Sequence, residues 1–172
     1  MIKKNIIKSI LITLGILCSQ ITVFAGEIPY ADTKQIESVK TYISDNVARI
    51  VGTPRGMLIS AVELSITDLG SGKVELYGHV LCHEPMEKIK LNLYLDKWLS
   101  SNEDWGQLEK FEFTWLAEDY PGEELTIASA AVEVPGLERG IDYRVRGIAG
   151  AWDLDSNLYE VFRADTASIL VE

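Results

Sequence analysis

The chain has 172 residues, with 26 acidic side chains against 16 basic ones and a net charge of −10 at neutral pH. That length suits one domain of ordinary size, able to bury roughly two-thirds of its unfolded surface. The acidic excess repels phosphate backbones and anionic headgroups, which excludes nucleic acid as the expected partner.

Residues 1–25 read as a secretory signal peptide. Lys3, Lys4 and Lys8 form a positive start, and an uncharged stretch runs from Ser9 to Phe24. Val23-Phe24-Ala25 presents small outer residues for cleavage before Gly26. The uncharged stretch is shorter than the ~20 residues a spanning helix needs, so no membrane insertion is expected after cleavage. Leu17 precedes Cys18 where a lipoprotein signal wants a small residue. The expected location is therefore extracellular. Cleavage removes the three lysines and takes the net charge from −10 to −13. It also leaves Cys82 as the sole mature cysteine, which an oxidising compartment favours buried.

Residues 26–56 read as a leader with one short helix and a linker. Ile36, Val39, Ile43, Val47 and Ile50 are spaced 3, 4, 4 and 3 apart, which places them on one helical face within 34–51. Gly52-Thr53-Pro54-Arg55-Gly56 is the expected stop.

From Met57 the apolar period becomes 2, and residues 57–172 read as one β-domain. Leu58 to Ile66 alternate. Val74, Leu76, Gly78, Val80 and Cys82 share a face, as do Ile89, Leu91, Leu93 and Leu95. Phe111, Phe113 and Trp115 share another face and are expected in the core. Leu125 to Val134 is a small-residue strand of undecided facing. Tyr143, Val145, Gly147 and Ala149 form an inward set opposed by Arg144 and Arg146. Tyr159 to Val171 closes the domain, with a bulge expected near Ala164 where the alternation loses phase. About seven strands with turns between them predict an all-β chain, a single antiparallel β-sandwich.

The segment Leu137 to Val145 reads L-x-x-G-x-x-Y-x-V. It resembles the corner before the sixth strand of fibronectin type III and other immunoglobulin-like sandwiches. That resemblance implies a structural role for Tyr143, whose hydroxyl would bond backbone upstream, with Leu137 packed beneath and Gly140 in the turn. The whole layout is similar to small secreted β-sandwich proteins of Gram-positive anaerobes. This likeness implies a class and carries no activity.

His79, Cys82 and His83 suggest a metal site, but a strand holds the histidines about 13 Å apart with the cysteine on the other face. Asp153, Asp155 and Asn157 space three oxygen ligands as D-x-D-x-N, which makes calcium the candidate ion; the same residues also make good turns. The loop Glu118 to Glu124 carries four carboxylates and is a second, weaker calcium candidate. Otherwise no cofactor is implied.

Four tryptophans in one small domain point to recognition. Trp98 follows Tyr94 on the polar face of its strand, Trp105 lies across a short connection from it, and Trp152 ends a strand. Tyr94, Trp98, Trp105 and Trp152 are the expected ligand-binding residues, with indole faces suited to stacking on sugars. The competing reading has Trp98 and Trp105 clasping each other across the hairpin. No G-x-S-x-G turn or triad is evident, so the chain is not expected to be an enzyme, and an unrecognised hydrolase is the least favoured alternative. The expected function is a secreted, non-catalytic recognition module for an extracellular protein or glycan. The alternative is an accessory subunit that assembles through open sheet edges.

Overall fold

The computed structural model describes residues 36–54, 56–153 and 155–172. The expected signal peptide, Cys18 and the leader as far as Gln35 lie outside the described residues.

Among the described residues ten strands form two antiparallel sheets, the β-sandwich that the alternation predicts. The strands of the first sheet are β1 (Ile36–Ser44), β2 (Val47–Pro54), β3 (Ile59–Gly70), β4 (Lys73–Cys82) and β7 (Ile127–Val134), in the order β1-β2-β3-β4-β7. In the second, β6 (Asp104–Leu116) pairs β5 (Lys88–Leu99), and β5 pairs β8 (Ile141–Asp153). The far edge of β8 carries β9 (Leu158–Asp165) and β10 (Ile169–Val171) in succession. Among the described residues the helical content is one 3-10 turn, Ala117–Asp119.

The expected helix over 34–51 is instead the β1–β2 hairpin, whose two-residue turn is Asp45-Asn46. Its apolar residues are almost all β-branched, which lowers helix propensity and favours strands. A lone helix of that length is marginal in water, whereas the hairpin gains a ladder against β3 from Val47↔Thr67 to Gly52↔Val62. The helical stripe is thereby split: Ile50 is buried while Ile43 is 66% exposed. The first sheet consequently begins at Ile36 rather than at Met57. The closing strand breaks after Asp165, at Thr166. There the Val145 N–H donates to the Thr166 hydroxyl at 3.1 Å and the Thr166 N–H to the Val145 carbonyl at 2.9 Å.

The core lies between the sheets. Leu64, Ile66, Leu76 and Val80 of the first sheet pack with Leu91, Leu93, Val145 and Phe162 of the second. Gly147 allows the close approach: a Cβ there would sit 2.5 Å from the Leu64 methyls. Leu137, Gly140 and Tyr143 lie at the β7–β8 corner. The Tyr143 hydroxyl accepts from the Glu138 N–H at 3.1 Å and lies 3.2 Å from the Glu138 carbonyl, to which it donates. Leu137 packs against the core, and Gly140 turns the chain at φ +76°. Tyr143, 1% exposed, thus ties the crossing loop to β8.

Candidate functional site

The inward residues of β5 are Ile89, Leu91, Leu93 and Leu95, so Tyr94, Asp96 and Trp98 point outward. The register sets Tyr94 between Lys110 and Arg146, Asp96 between Gln107 and Arg144, and Trp98 opposite Trp105. Trp105 has the same odd parity as Phe111, Phe113 and Trp115, which point toward the core. It nonetheless faces outward, because the ladder slips from Leu95↔Glu109 to Asp96↔Gln107. That bulge leaves Leu108 unpaired and flips every β6 side chain before it to the other face.

A continuous ladder of aromatic and arginine side chains results. Trp98 and Trp105 meet edge to face with centroids 5.3 Å apart. The Arg144 guanidinium lies 4.6 Å over the Trp105 ring, and that of Arg146 lies 4.4 Å over Tyr94, with Lys110 5.7 Å from the same ring. Asp96, 2% exposed, sits beneath both guanidiniums. Its carboxylate accepts from Arg146 Nε and Nη2, both at 3.2 Å, and Arg144 Nη2 approaches it to 3.3 Å. Arg146 also donates to Gln107 at 3.2 Å, and Arg144 lies 3.4 Å from Asp165. The Asp96 hydrogen bond, followed in effect by opposing desolvation, pushes the Arg146 pKa further above the ordinary guanidinium value. The contacts to Asp96, Gln107 and Asp165 fix both guanidiniums in direction, with little rotamer freedom left to lose on binding.

By register, Lys88, Lys90, Lys110, Arg144, Arg146 and Arg163 project from this face together with Asp96, Glu112, Asp142 and Asp165, so it carries a small excess of basic side chains on an acidic chain.

Of the expected ligand-binding residues, Tyr94, Trp98 and Trp105 come together here and Trp152 does not. Trp152 pairs with Lys88, whose ammonium lies 4.3 Å over its ring. That is six residues along β5 from Tyr94, or roughly 20 Å. Burial, and then the neighbouring Lys90, lowers the Lys88 pKa. Sequence reasoning did not single out Asp96, Arg144, Arg146, Lys110 or Gln107. The signal available was parity: two arginines two apart on β8, facing an outward Tyr-x-Asp-x-Trp on β5.

The candidate calcium residues make a turn. Asp153 Oδ1 accepts from the Asp155 N–H at 3.1 Å and the Ser156 N–H at 3.3 Å, while Oδ2 accepts from the Ser156 hydroxyl. That hydroxyl, before the backbone donors, holds the Asp153 carboxyl below its usual range. Asn157 follows in the left-handed region at φ 54°. Leu154 lies outside the described residues. Among the described residues no group of three or more His, Cys, Asp or Glu side chains is placed to hold a metal ion.

Cys82 is in the core, 5% exposed, on the inward face of β4. Burial, and secondarily the Glu160 charge, pushes its thiol up to about 12 from 9.0. An aromatic disulfide reagent at pH 8 is expected to react about a thousandfold more slowly with the folded protein than with the urea-unfolded chain, since the thiolate is the nucleophile. Comparable rates would show that the thiol is open to solvent. The thiol stays protonated in the fold after it would ionise in the unfolded chain. This contribution to stability is therefore complete below pH 9 and declines as pH rises toward 12.

Comparison with protein-family models and with curated proteins finds no match.

Proposed function

We propose that this chain is a secreted, non-catalytic recognition module that binds an extracellular protein through the outer face of β6, β5 and β8. The secretory reading rests on residues 1–25. The observation that carries the binding reading is the Trp98–Trp105–Arg144–Asp96–Arg146–Tyr94 ladder. Tryptophan, tyrosine and arginine dominate the energetic centres of protein interfaces, and rigid anchors lose little entropy on association. The small excess of basic over acidic side chains on the face suits an acidic patch on the partner.

A glycan is the second reading, favoured by the aromatic content of the face. The clasp between Trp98 and Trp105, with Arg144 over one indole, leaves less open ring for a sugar to stack on. An accessory role through sheet edges would give concentration-dependent oligomers that persist after the ladder is altered.

The test is binding of the protein, with Tyr94→Ala and Trp105→Ala beside it, to a panel of extracellular proteins and to a glycan array. A protein ligand should be weakened at least about tenfold in both variants and should bind less tightly as salt rises. Binding unchanged in both variants would remove the ladder as the contact surface. Signal confined to glycans would replace the protein reading with the sugar one.

A further inference from the structure

The four lateral edges of the two sheets differ in how they are defended. The β6 edge carries Glu109, Lys110 and Glu112 and is bent by the bulge at Leu108. The described part of β1 carries Lys40. The edge formed by β9 and β10 is interrupted at Thr166. The β7 edge has none of these devices from Ile127 to Val132, a run of Ile, Ala, Ser, Ala, Ala and Val.

The ladder between β4 and β7 settles which backbone groups are free. The Cys82 N–H donates to the Thr126 carbonyl at 2.8 Å, so even-numbered residues of β7 turn their backbone groups toward β4. The N–H and C=O of Ile127, Ser129 and Ala131 point the other way, where the described residues place no strand.

A cleft of about 240 Å³ adjoins this edge, lined by Trp115, Tyr120 and Leu125 and by Ile127 to Ser129. Ala128 and Ala130, two of the inward residues of β7, are small beside Val132 and Val134. They leave Trp115, stacked on Phe113 at 6.0 Å, only partly covered. Ile127, 54% exposed, stands at the rim, and Glu123 and Glu124 add two carboxylates to it.

We propose that the β7 edge and this cleft together bind an extended segment of a partner protein, taken up as an added strand that seats a lysine or arginine side chain against Trp115, Glu123 and Glu124. Main-chain pairing to Ile127, Ser129 and Ala131 supplies affinity, and the cleft supplies side-chain selection. Aromatic ring and carboxylates together suit a cation and reject an anion. This surface lies apart from the basic ladder face and does not depend on it.

Fluorescence anisotropy with labelled ten-residue peptides of alternating valine and threonine tests this. One probe carries lysine at a central position, one carries glutamate there, and one carries lysine with alternate backbone nitrogens methylated. The lysine probe should bind, the glutamate probe at least about tenfold more weakly, and the methylated probe without measurable affinity. Ser129→Pro removes a free-edge N–H and leaves the β4 ladder intact, so it should abolish binding. The double variant Glu123→Gln, Glu124→Gln should abolish the preference for lysine over glutamate. Failure of the lysine probe to bind, or equal binding by the methylated probe, overturns the proposal. The methylated probe decides the matter even where Ser129→Pro does not fold.

Discussion

Glu160→Ala is expected to destabilise the protein by about 2–5 kcal/mol. Glu160 lies on β9 and is 8% exposed. Its Oε2 accepts from two backbone donors, the Leu58 N–H at 2.8 Å and the Ile59 N–H at 3.1 Å. Those amides open β3, so one carboxylate fastens the second sheet to the start of a strand in the first, 102 residues away in sequence. Truncation leaves two N–H groups buried without an acceptor, and each such group costs about 1–3 kcal/mol. For a domain of this size the melting midpoint should fall by roughly 5–15 °C. Glu160→Gln retains a carbonyl acceptor and should cost much less. Urea denaturation of the three proteins measures both differences. A loss below about 1 kcal/mol in Glu160→Ala would mean that water replaces the carboxylate at those amides.

Asp96→Ala is expected to cost about 3 kcal/mol and to disorder the outer face of β6, β5 and β8. The Asp96 side chain is 3% exposed, while those of Arg144 and Arg146 are 22% and 33% exposed. Removing the carboxylate leaves two guanidiniums side by side, partly desolvated, with only the 42% exposed Asp165 near them. Breaking a buried pair from one side is the costly operation, because the partner charge stays in place. Arg144 and Arg146 should then turn toward solvent and leave the Trp105 and Tyr94 rings. A red-shifted, more quenchable tryptophan emission should accompany the lower urea midpoint. Asp96→Asn should fall between the two, since an amide oxygen still accepts but carries no charge. A wild-type midpoint in Asp96→Ala would show that the arginines do not need the carboxylate. If the proposed ligand binds through this face, its affinity should fall with Asp96→Ala even at temperatures where the variant is folded.

Most of the sandwich is legible from period alone. Val74 to Cys82, Ile89 to Leu95 and Tyr143 to Ala149 alternate cleanly, and the structure buries the expected inward residues, with Lys90, Asn92 and Ile148 of the opposite face buried as well. The hairpin over Ile36 to Pro54 is not legible in this way. In an isolated segment its apolar spacing fits a helical stripe, and only the waiting edge of β3 makes two strands the better solution. The facing of β7 is illegible for a related reason: with Ala128, Ala130 and Ala131 on it, size and polarity barely distinguish its two sides.

The outer face of β6, β5 and β8 divides along the same line. Tyr94, Asp96 and Trp98 on one side of a strand, and Arg144 and Arg146 on one side of another, follow from alternation within each strand. Trp105 does not, because local parity sends it inward and the bulge at Leu108 sends it out. No local pattern shows that Asp96 lies under both arginines, since that depends on the register between β5 and β8.

By itself the amino-acid sequence determined the fold class, the core-facing residues of most strands and the tyrosine that pins the β7–β8 corner. These follow from the two-residue period of a strand and from a short local motif, both properties of neighbouring residues. Only the tertiary structure decided that residues 36–54 join the sheet, that Trp105 faces outward and that Asp96 and Glu160 are buried carboxylates with partners far along the chain. Each of these depends on which strands lie side by side and in what register, and those pairings bring together residues that local sequence leaves far apart.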